Sequence, residues 1–230
     1  MPVSAPFIDI HCHGSRPDAD WLIRSLDMSE IAKLPALLCA GNHRYASIGA
    51  HPWHIGGLLD PEHNWHIQRS LCAGPLVLAV GESGLDKCIA TPLQRQTAVF
   101  RGQIELAEQL GKPLIVHCVR AHNELIAVKK SAKPTQAWIV HGFSGKSALA
   151  EQLLNQGCYL SFGKFLLKPE HPSRLALLHT PPERLFLETD AATQLSISEI
   201  YSEAAKILGL DIQTLQRRIV ANFQRVFLHD

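Results

Sequence analysis

The sequence predicts a (β/α)₈ barrel that forms a single domain over residues 1–230. Three observations lead to this prediction. Short apolar runs alternate with segments of helical spacing along the chain, which is the element order of a parallel α/β sheet. The length of 230 residues falls within the ~200–250 residues of one barrel. Side chains that can bind metals follow several of the apolar runs, where barrel active sites lie.

Eight apolar runs are interpreted as strands. Most of them are continuous rather than alternating, which is typical of strands buried on both faces of a parallel sheet. The predicted strands cover residues 7–10, 36–40, 46–50, 76–81, 114–116, 137–140, 158–162 and 185–187. Only residues 41–45 separate the second run from the third, a connection too short for a crossover helix.

The intervening segments have the spacing of amphipathic helices. Between residues 92 and 110, for example, Leu93, Phe100, Ile104 and Ala107 recur at steps of three, four and seven, and Gly111 follows, as expected at a helix end. The predicted helices cover residues 18–34, 61–72, 92–110, 122–132, 146–156, 172–179 and 198–208, with a terminal helix over 211–228.

Composition restricts the class of protein. A net charge of +1 excludes a strongly basic nucleic-acid binder, although it allows a local basic patch. No apolar run approaches the ~18–20 residues of a membrane span, and the N-terminus lacks the pattern of a signal peptide. None of the six cysteines forms a Cys-x-x-Cys pair, so reduced thiols are expected. We therefore predict a cytoplasmic protein that contacts no membrane, and we infer no obligate protein partner.

Six potential metal ligands lie at the ends of predicted strands. They are His11, His13, Glu82, His117, His141 and Asp190. In a barrel these strand ends converge on one face, and the i, i+2 spacing of the first two histidines turns both imidazoles to the same side of a strand. No lysine ends a strand, so Glu82 is the available bridge between ions. Imidazole and carboxylate donors without thiolates suit Zn, Mn or Mg, and we predict two divalent ions.

Several segments together resemble the TatD family of metal-dependent deoxyribonucleases, within the amidohydrolase-like superfamily. The matching motifs are IDIHCH at 8–13, GAHP at 49–52, GESGLD at 81–86, PLIVH at 113–117, HGFSG at 141–145 and ETD at 188–190. The resemblance implies a barrel, a divalent-metal centre and hydrolysis of phosphodiester bonds in DNA. It also implies one ion on His11, His13 and Asp190, a second on His117 and His141, and Glu82 as the bridge.

The predicted reaction is hydrolysis of a phosphate ester by a metal-activated water, with Glu82 and Asp190 as the catalytic carboxylates. Asp190 would also accept the proton of the attacking water. Four residues of the predicted rim are candidates for binding DNA or another phosphate ester: His51, His54, Arg120 and Lys146. Two alternatives stay open. The same centre would polarise the carbonyl of an amide or lactone in a small molecule, or the barrel would serve as a non-catalytic binding protein.

Overall fold

Eight strands form the framework of the protein. The computed structural model describes residues 5–14, 16–34, 43–55 and 61–229. Its strands are β1 (Ile8–Cys12), β2 (Trp21–Asp27), β3 (Arg44–Gly49), β4 (Val77–Asp86), β5 (Leu114–Val119), β6 (Trp138–Val140), β7 (Tyr159–Phe162) and β8 (Leu185–Leu187). Their order in the sheet follows the chain from β1 to β8, and each pair whose register is described is parallel. This topology confirms the predicted (β/α)₈ barrel class.

Seven α-helices occupy the described residues between and after the strands. They are α1 (Pro61–Cys72), α2 (Leu93–Leu110), α3 (His122–Ala132), α4 (Ser147–Asn155), α5 (Ser173–Leu178), α6 (Ile197–Leu208) and α7 (Ile212–Phe223). Each starts and ends close to its predicted bounds, and a π-helical turn over Gln224–Leu228 completes the predicted terminal helix. None of the helices in the described part of the chain has the length and apolarity required to cross a membrane.

The helix predicted over residues 18–34 is wrong. The chain instead forms β2 over Trp21–Asp27 and a 3₁₀ helix over Met28–Lys33. Leu22, Ile23 and Leu26 are buried, and their spacing fits either a helix or a strand. Pairing with β1 decides between them, because Ile8 lies opposite Trp21 and, after a shift in register beyond Asp9, Cys12 lies opposite Arg24. The strand predicted over 36–40 lies outside the described residues.

The chain divides into two compact units. The first contains Met1–Arg24 and His141–Asp230, and the second contains Ser25–Val140. In the first unit, Tyr201 is fully buried and its hydroxyl both accepts from the N–H of Ile8 and donates to the carbonyl of the same residue, at 3.2 and 3.1 Å. Helix α6 is thereby fixed to β1. That residues 1–230 form one domain stays a prediction.

The second unit has its own core. The rings of Phe100 on α2 and Trp138 on β6 meet edge to face at 5.3 Å, and both are fully buried. Buried amides join the helices to the strands, since Gln103 accepts from the N–H of Ala50 at 3.1 Å and exchanges hydrogen bonds of 2.8 Å with Gln68. These contacts fix β3 and the residues that follow it.

Candidate active site

The first unit contains a group of three histidines and one aspartate, here called the Asp190 cluster: His11, His13, His141 and Asp190. Asp190 Oδ1 lies 3.9 Å from His11 Nε2 and 3.8 Å from His13 Nε2. The rings of His11 and His141 lie 4.1 Å apart. Ligand atoms of His11, His141 and Asp190 all lie within 4.8 Å of one another.

Backbone hydrogen bonds set the position of Asp190. Its N–H donates to the carbonyl of His11 at 2.9 Å, and its own carbonyl accepts from the N–H of His13 at 3.1 Å. The Arg16 guanidinium donates to the same carbonyl at 3.1 Å. Asp190 also has a φ of 54°, in the left-handed region that aspartate tolerates better than most residues. The carboxylate is thus held beside the imidazoles of His11 and His13 by main-chain contacts.

Buried carboxylates brace the same cluster. Asp9, fully buried, accepts from the Thr189 hydroxyl at 2.6 Å and from the Thr189 N–H at 3.1 Å. Burial raises the pKa of Asp9 to about 7, although the hydrogen bonds from Thr189 oppose the rise. Glu188, also fully buried, accepts from the N–H of Gly142 at 2.7 Å, and its Oε1 lies 3.3 Å from His141 Nδ1. A carboxylate at that position orients a metal-binding imidazole.

The second unit contains a group of two histidines and one glutamate, here called the Glu82 cluster: His51, Glu82 and His117. Glu82 Oε1 lies 2.6 Å from His117 Nδ1 and 3.0 Å from His51 Nε2. The two imidazole nitrogens are 3.4 Å apart. Glu82 and His117 are buried and the side chain of His51 is 12% exposed, so the donor atoms are largely screened from bulk water.

Glycines bring the strands of the Glu82 cluster together. A Cβ added to Gly49 would stand 2.3 Å from the carbonyl oxygen of Glu82, and one added to Gly84 would stand 1.9 Å from that of His117. Neither contact is tolerable, so only glycine permits this approach. Glu82 was predicted to end its strand, which is wrong: β4 continues through Gly84 to Asp86. The register of β4 against β5 shifts between Val80 and Ser83.

Asp86 supports His117 from the end of β4. Its Oδ2 lies 3.3 Å from His117 Nε2 and accepts from the indole of Trp53 at 2.7 Å. Burial alone would raise the pKa of Asp86, but hydrogen bonds from Trp53, the N–H of Cys88 and His117 hold it below its usual value. The carboxylate therefore stays ionised and fixes the orientation of the imidazole.

The predicted substrate-binding residues other than His51 are exposed side chains. Arg120 and Lys146 are exposed, with Arg120 in the left-handed region at a φ of 53° directly after β5 and Lys146 at the N-cap of α4. His54 is 56% exposed, and its Nδ1 lies 3.2 Å from Asp27 Oδ2. Their roles in binding substrate stay predictions.

Both clusters have the donor chemistry of a divalent-metal site. Each combines imidazole nitrogens with a carboxylate, and neither contains a thiolate, since the Cys12 thiol donates instead to the carbonyl of Ile23. Ligand atoms around one ion at about 2.0–2.2 Å lie up to roughly 4.4 Å apart. Three donors within 4.8 Å of one another therefore fit one ion per cluster after small adjustments. That Glu82 bridges two ions stays a prediction.

Ligand atoms of His141 lie close to those of His11 and Asp190, and those of His51 lie close to those of Glu82 and His117. The distribution of ligands between two ions that the resemblance implies stays a prediction. Sequence reasoning named Glu188 only as part of a motif. It placed Lys164, whose Nζ lies 3.5 Å from Asp190 Oδ2, on the basic rim but not among the candidate site residues. The position of Glu188 two residues before Asp190 could have indicated that Glu188 belongs to the site.

A (β/α)₈ fold that carries histidine and carboxylate clusters on its strands and directly after them is typical of the class of metal-dependent hydrolases. The model of one such family, TatD related DNase, matches residues 22–228. The chain belongs to the TatD related DNase family.

Individual relatives agree with this assignment. The "3'-5' ssDNA/RNA exonuclease TatD" of Edwardsiella piscicida is 34% identical over 157 residues, which cover 64% of this chain and 57% of that protein. The "Uncharacterized metal-dependent hydrolase YjjV" of Escherichia coli K12 is 31% identical over 208 residues, which cover 80% of this chain and 79% of that protein. The chain thus spans little more than half of the first relative and about four fifths of the second.

The fold also matches a solved structure. The crystal structure of YJJV, a TatD homologue from Escherichia coli K12, superimposes with a TM-score of 0.86 at 23% identity, covering 96% of this chain and 98% of that one. At this identity the match supports the fold alone.

Proposed function

We propose that the protein is a divalent-metal-dependent nuclease that hydrolyses phosphodiester bonds in DNA and acts in the cytoplasm. The observation that carries the proposal is the presence of two imidazole–carboxylate clusters in a chain of the TatD related DNase family. The relative from Edwardsiella piscicida, named as a 3'-5' exonuclease of single-stranded DNA and RNA, supports a single-stranded substrate.

The Asp190 cluster and the Glu82 cluster each hold one ion in this proposal. A bound divalent cation supplies Lewis acidity, which makes water a stronger acid and offsets negative charge on phosphoryl oxygens. Asp190 is 27% exposed, so its carboxylate can reach a water molecule and accept its proton. The ammonium group of Lys164 lies 3.5 Å from the same carboxylate.

The metal requirement is tested by measuring the metal content of the protein and by restoring activity after the metal has been removed. We expect elemental analysis of the reconstituted chain to find about two ions, chelation to abolish hydrolysis, and added Mn, Zn or Mg to restore it. Cys12→Ala together with Cys118→Ala should retain both ions, because neither thiol belongs to a cluster. One ion or fewer at saturation would contradict the two-ion form.

The substrate class is tested with a panel of chromogenic compounds: a phosphodiester, a phosphomonoester, an amide and a lactone. We expect turnover of the phosphodiester, and Asp190→Asn should reduce kcat by at least about a hundredfold because it removes a ligand charge and a proton acceptor. Asp211→Asn, at the exposed N-cap of α7, is the control. Cleavage of the amide or lactone without the phosphodiester would overturn the proposal.

Substitution of Arg120 tests whether this residue binds phosphate groups of the substrate that are not cleaved. Arg120→Gln should raise KM for an oligonucleotide and leave kcat unchanged, because the interaction is equal in the ground and transition states. Arg218→Gln, an exposed arginine on α7, should leave both constants unchanged. A fall in kcat without a change in KM would instead assign Arg120 to the transition state.

A further inference from the structure

The segment that follows β7 carries two lysines around one aromatic ring. We propose that Lys164 and Lys168, together with the ring of Phe165, form a phosphate-binding subsite for the backbone of a single-stranded nucleic acid. The inference rests on the proposed function and deepens it, since it identifies residues that bind the strand beyond the cleaved bond.

Both ammonium groups lie close to the same ring. Lys164 Nζ is 5.7 Å and Lys168 Nζ is 5.4 Å from the centroid of Phe165, within the range of a cation–π interaction. Lys168 is exposed and the Lys164 side chain is 42% exposed. Two positive charges thus lie close to the ring of Phe165.

Two neighbouring cations repel one another unless an anion offsets them. Lys164 has Asp190 at 3.5 Å, whereas no ion pair of Lys168 is recorded among the residues that the structure describes. A phosphate bound at this position would offset the repulsion and form charge-assisted hydrogen bonds. A polyanion suits the site better than a single carboxylate because it places charge next to both ammonium groups.

The segment is rigid enough to act as a preformed site. The ring of His171 stacks on Phe165 at 4.7 Å with an interplanar angle of 19°, and the His171 N–H donates to the carbonyl of Lys168 at 3.0 Å. Arg174 donates to the carbonyl of Leu166 at 2.5 Å and to Glu203 at 2.6 Å. Little conformational entropy is therefore lost when the strand binds.

The position of Lys164 connects the subsite to the reaction. Its Nζ lies 5.7 Å from the ring centroid of Phe165 and 3.5 Å from the carboxylate of Asp190, the proposed proton acceptor. A single-stranded nucleic acid whose phosphates contact Lys168 and then Lys164 comes close to Asp190. The subsite would therefore favour oligonucleotides over single phosphate esters.

The test is equilibrium binding to the metal-loaded chain of 230 residues. The probe is a fluorescent ten-residue thymidine oligonucleotide with phosphorothioate linkages, which keeps the backbone charge and resists hydrolysis. Lys168→Gln should weaken binding about five- to tenfold at low salt. It should also reduce the slope of log K against log salt by roughly 0.7, the value for one lost phosphate contact to a single strand.

Lys130→Gln, which removes an exposed lysine from α3, is the matched control and should change neither quantity. Phe165→Leu should weaken binding less than Lys168→Gln, and melting temperatures should confirm that all variants fold. Wild-type affinity and salt slope in Lys168→Gln would overturn the inference. Wild-type chain that binds the probe as expected, yet hydrolyses no phosphodiester, would uphold the subsite and refute the proposed nuclease function instead.

Discussion

Replacing Thr189 with valine tests whether the buried link between β1 and β8 supports the Asp190 cluster. Valine preserves the shape of threonine but removes the hydroxyl that donates to Asp9 Oδ2 at 2.6 Å. Both residues are fully buried, so water cannot replace the lost donor. The remaining hydrogen bond, from the Thr189 N–H to Asp9 Oδ1 at 3.1 Å, is unchanged in the variant.

The expected cost follows from this geometry. Leaving one oxygen of a buried carboxyl group without its donor costs about 2–3 kcal/mol, the upper part of the range for a buried polar group. For a chain of this length that corresponds to a fall in melting temperature of roughly 5–10 °C. Because Asp190 directly follows Thr189, we also expect weaker metal binding.

Urea unfolding of the metal-free chain measures the first effect, and competition with a chromogenic chelator measures the second. Thr180→Val is the matched control: that threonine is buried, but its hydroxyl donates at 2.9 Å to the carbonyl of Ala176, which also accepts from the N–H of His179 at 3.2 Å. The control should lose less than about 1 kcal/mol. Equal losses in the two variants would refute the reasoning that Asp9 requires its donor.

Three further perturbations have defined outcomes. Glu188→Gln should weaken metal binding about 10- to 100-fold by disturbing His141, as measured by titration calorimetry, and unchanged affinity would exclude an orienting role. Lys112→Met should lower the free energy of urea unfolding by about 1–3 kcal/mol, since its ammonium group donates to three backbone carbonyls; a loss below 0.5 kcal/mol, about the size of a neutral surface change, would contradict this. Gly84→Ala should cost more than about 3 kcal/mol or prevent soluble expression, because the added Cβ meets a carbonyl oxygen at 1.9 Å. Gly157→Ala, whose added Cβ meets nothing within 4 Å, should cost only about 1–2 kcal/mol, the backbone penalty.

The sequence predicts most strands because they are buried on both faces. The run at 185–187 matches β8 in full, and its three residues are all buried. In β2 the polar residues Arg24 and Ser25 interrupt the apolar run, so spacing alone could not separate a strand from a helix there. Only the pairing with β1, which the local spacing of apolar residues does not reveal, identifies β2 as a strand.

The candidate site likewise has features that could be predicted from the sequence and others that depend on tertiary structure. Histidines and carboxylates that follow apolar runs could be found from the sequence, and the structure brings His11, His141 and Asp190 together. That His51 lies beside Glu82 and His117 could not be predicted, because it depends on the side to which each imidazole turns. The contact between Glu188 and His141 depends likewise on backbone geometry, including Gly142 with its φ of 57°.

The main-chain hydrogen bonds of Asp190 to His11 and His13 make the position of this carboxylate independent of the loop that follows it. The carboxylate owes its place to β1, so residues 191–196 that follow it need not hold it there. This stretch can accept insertions or exchanges without displacing the ligand. Grafting the corresponding loop of a relative into this chain is therefore a route to new substrate preference at constant metal affinity.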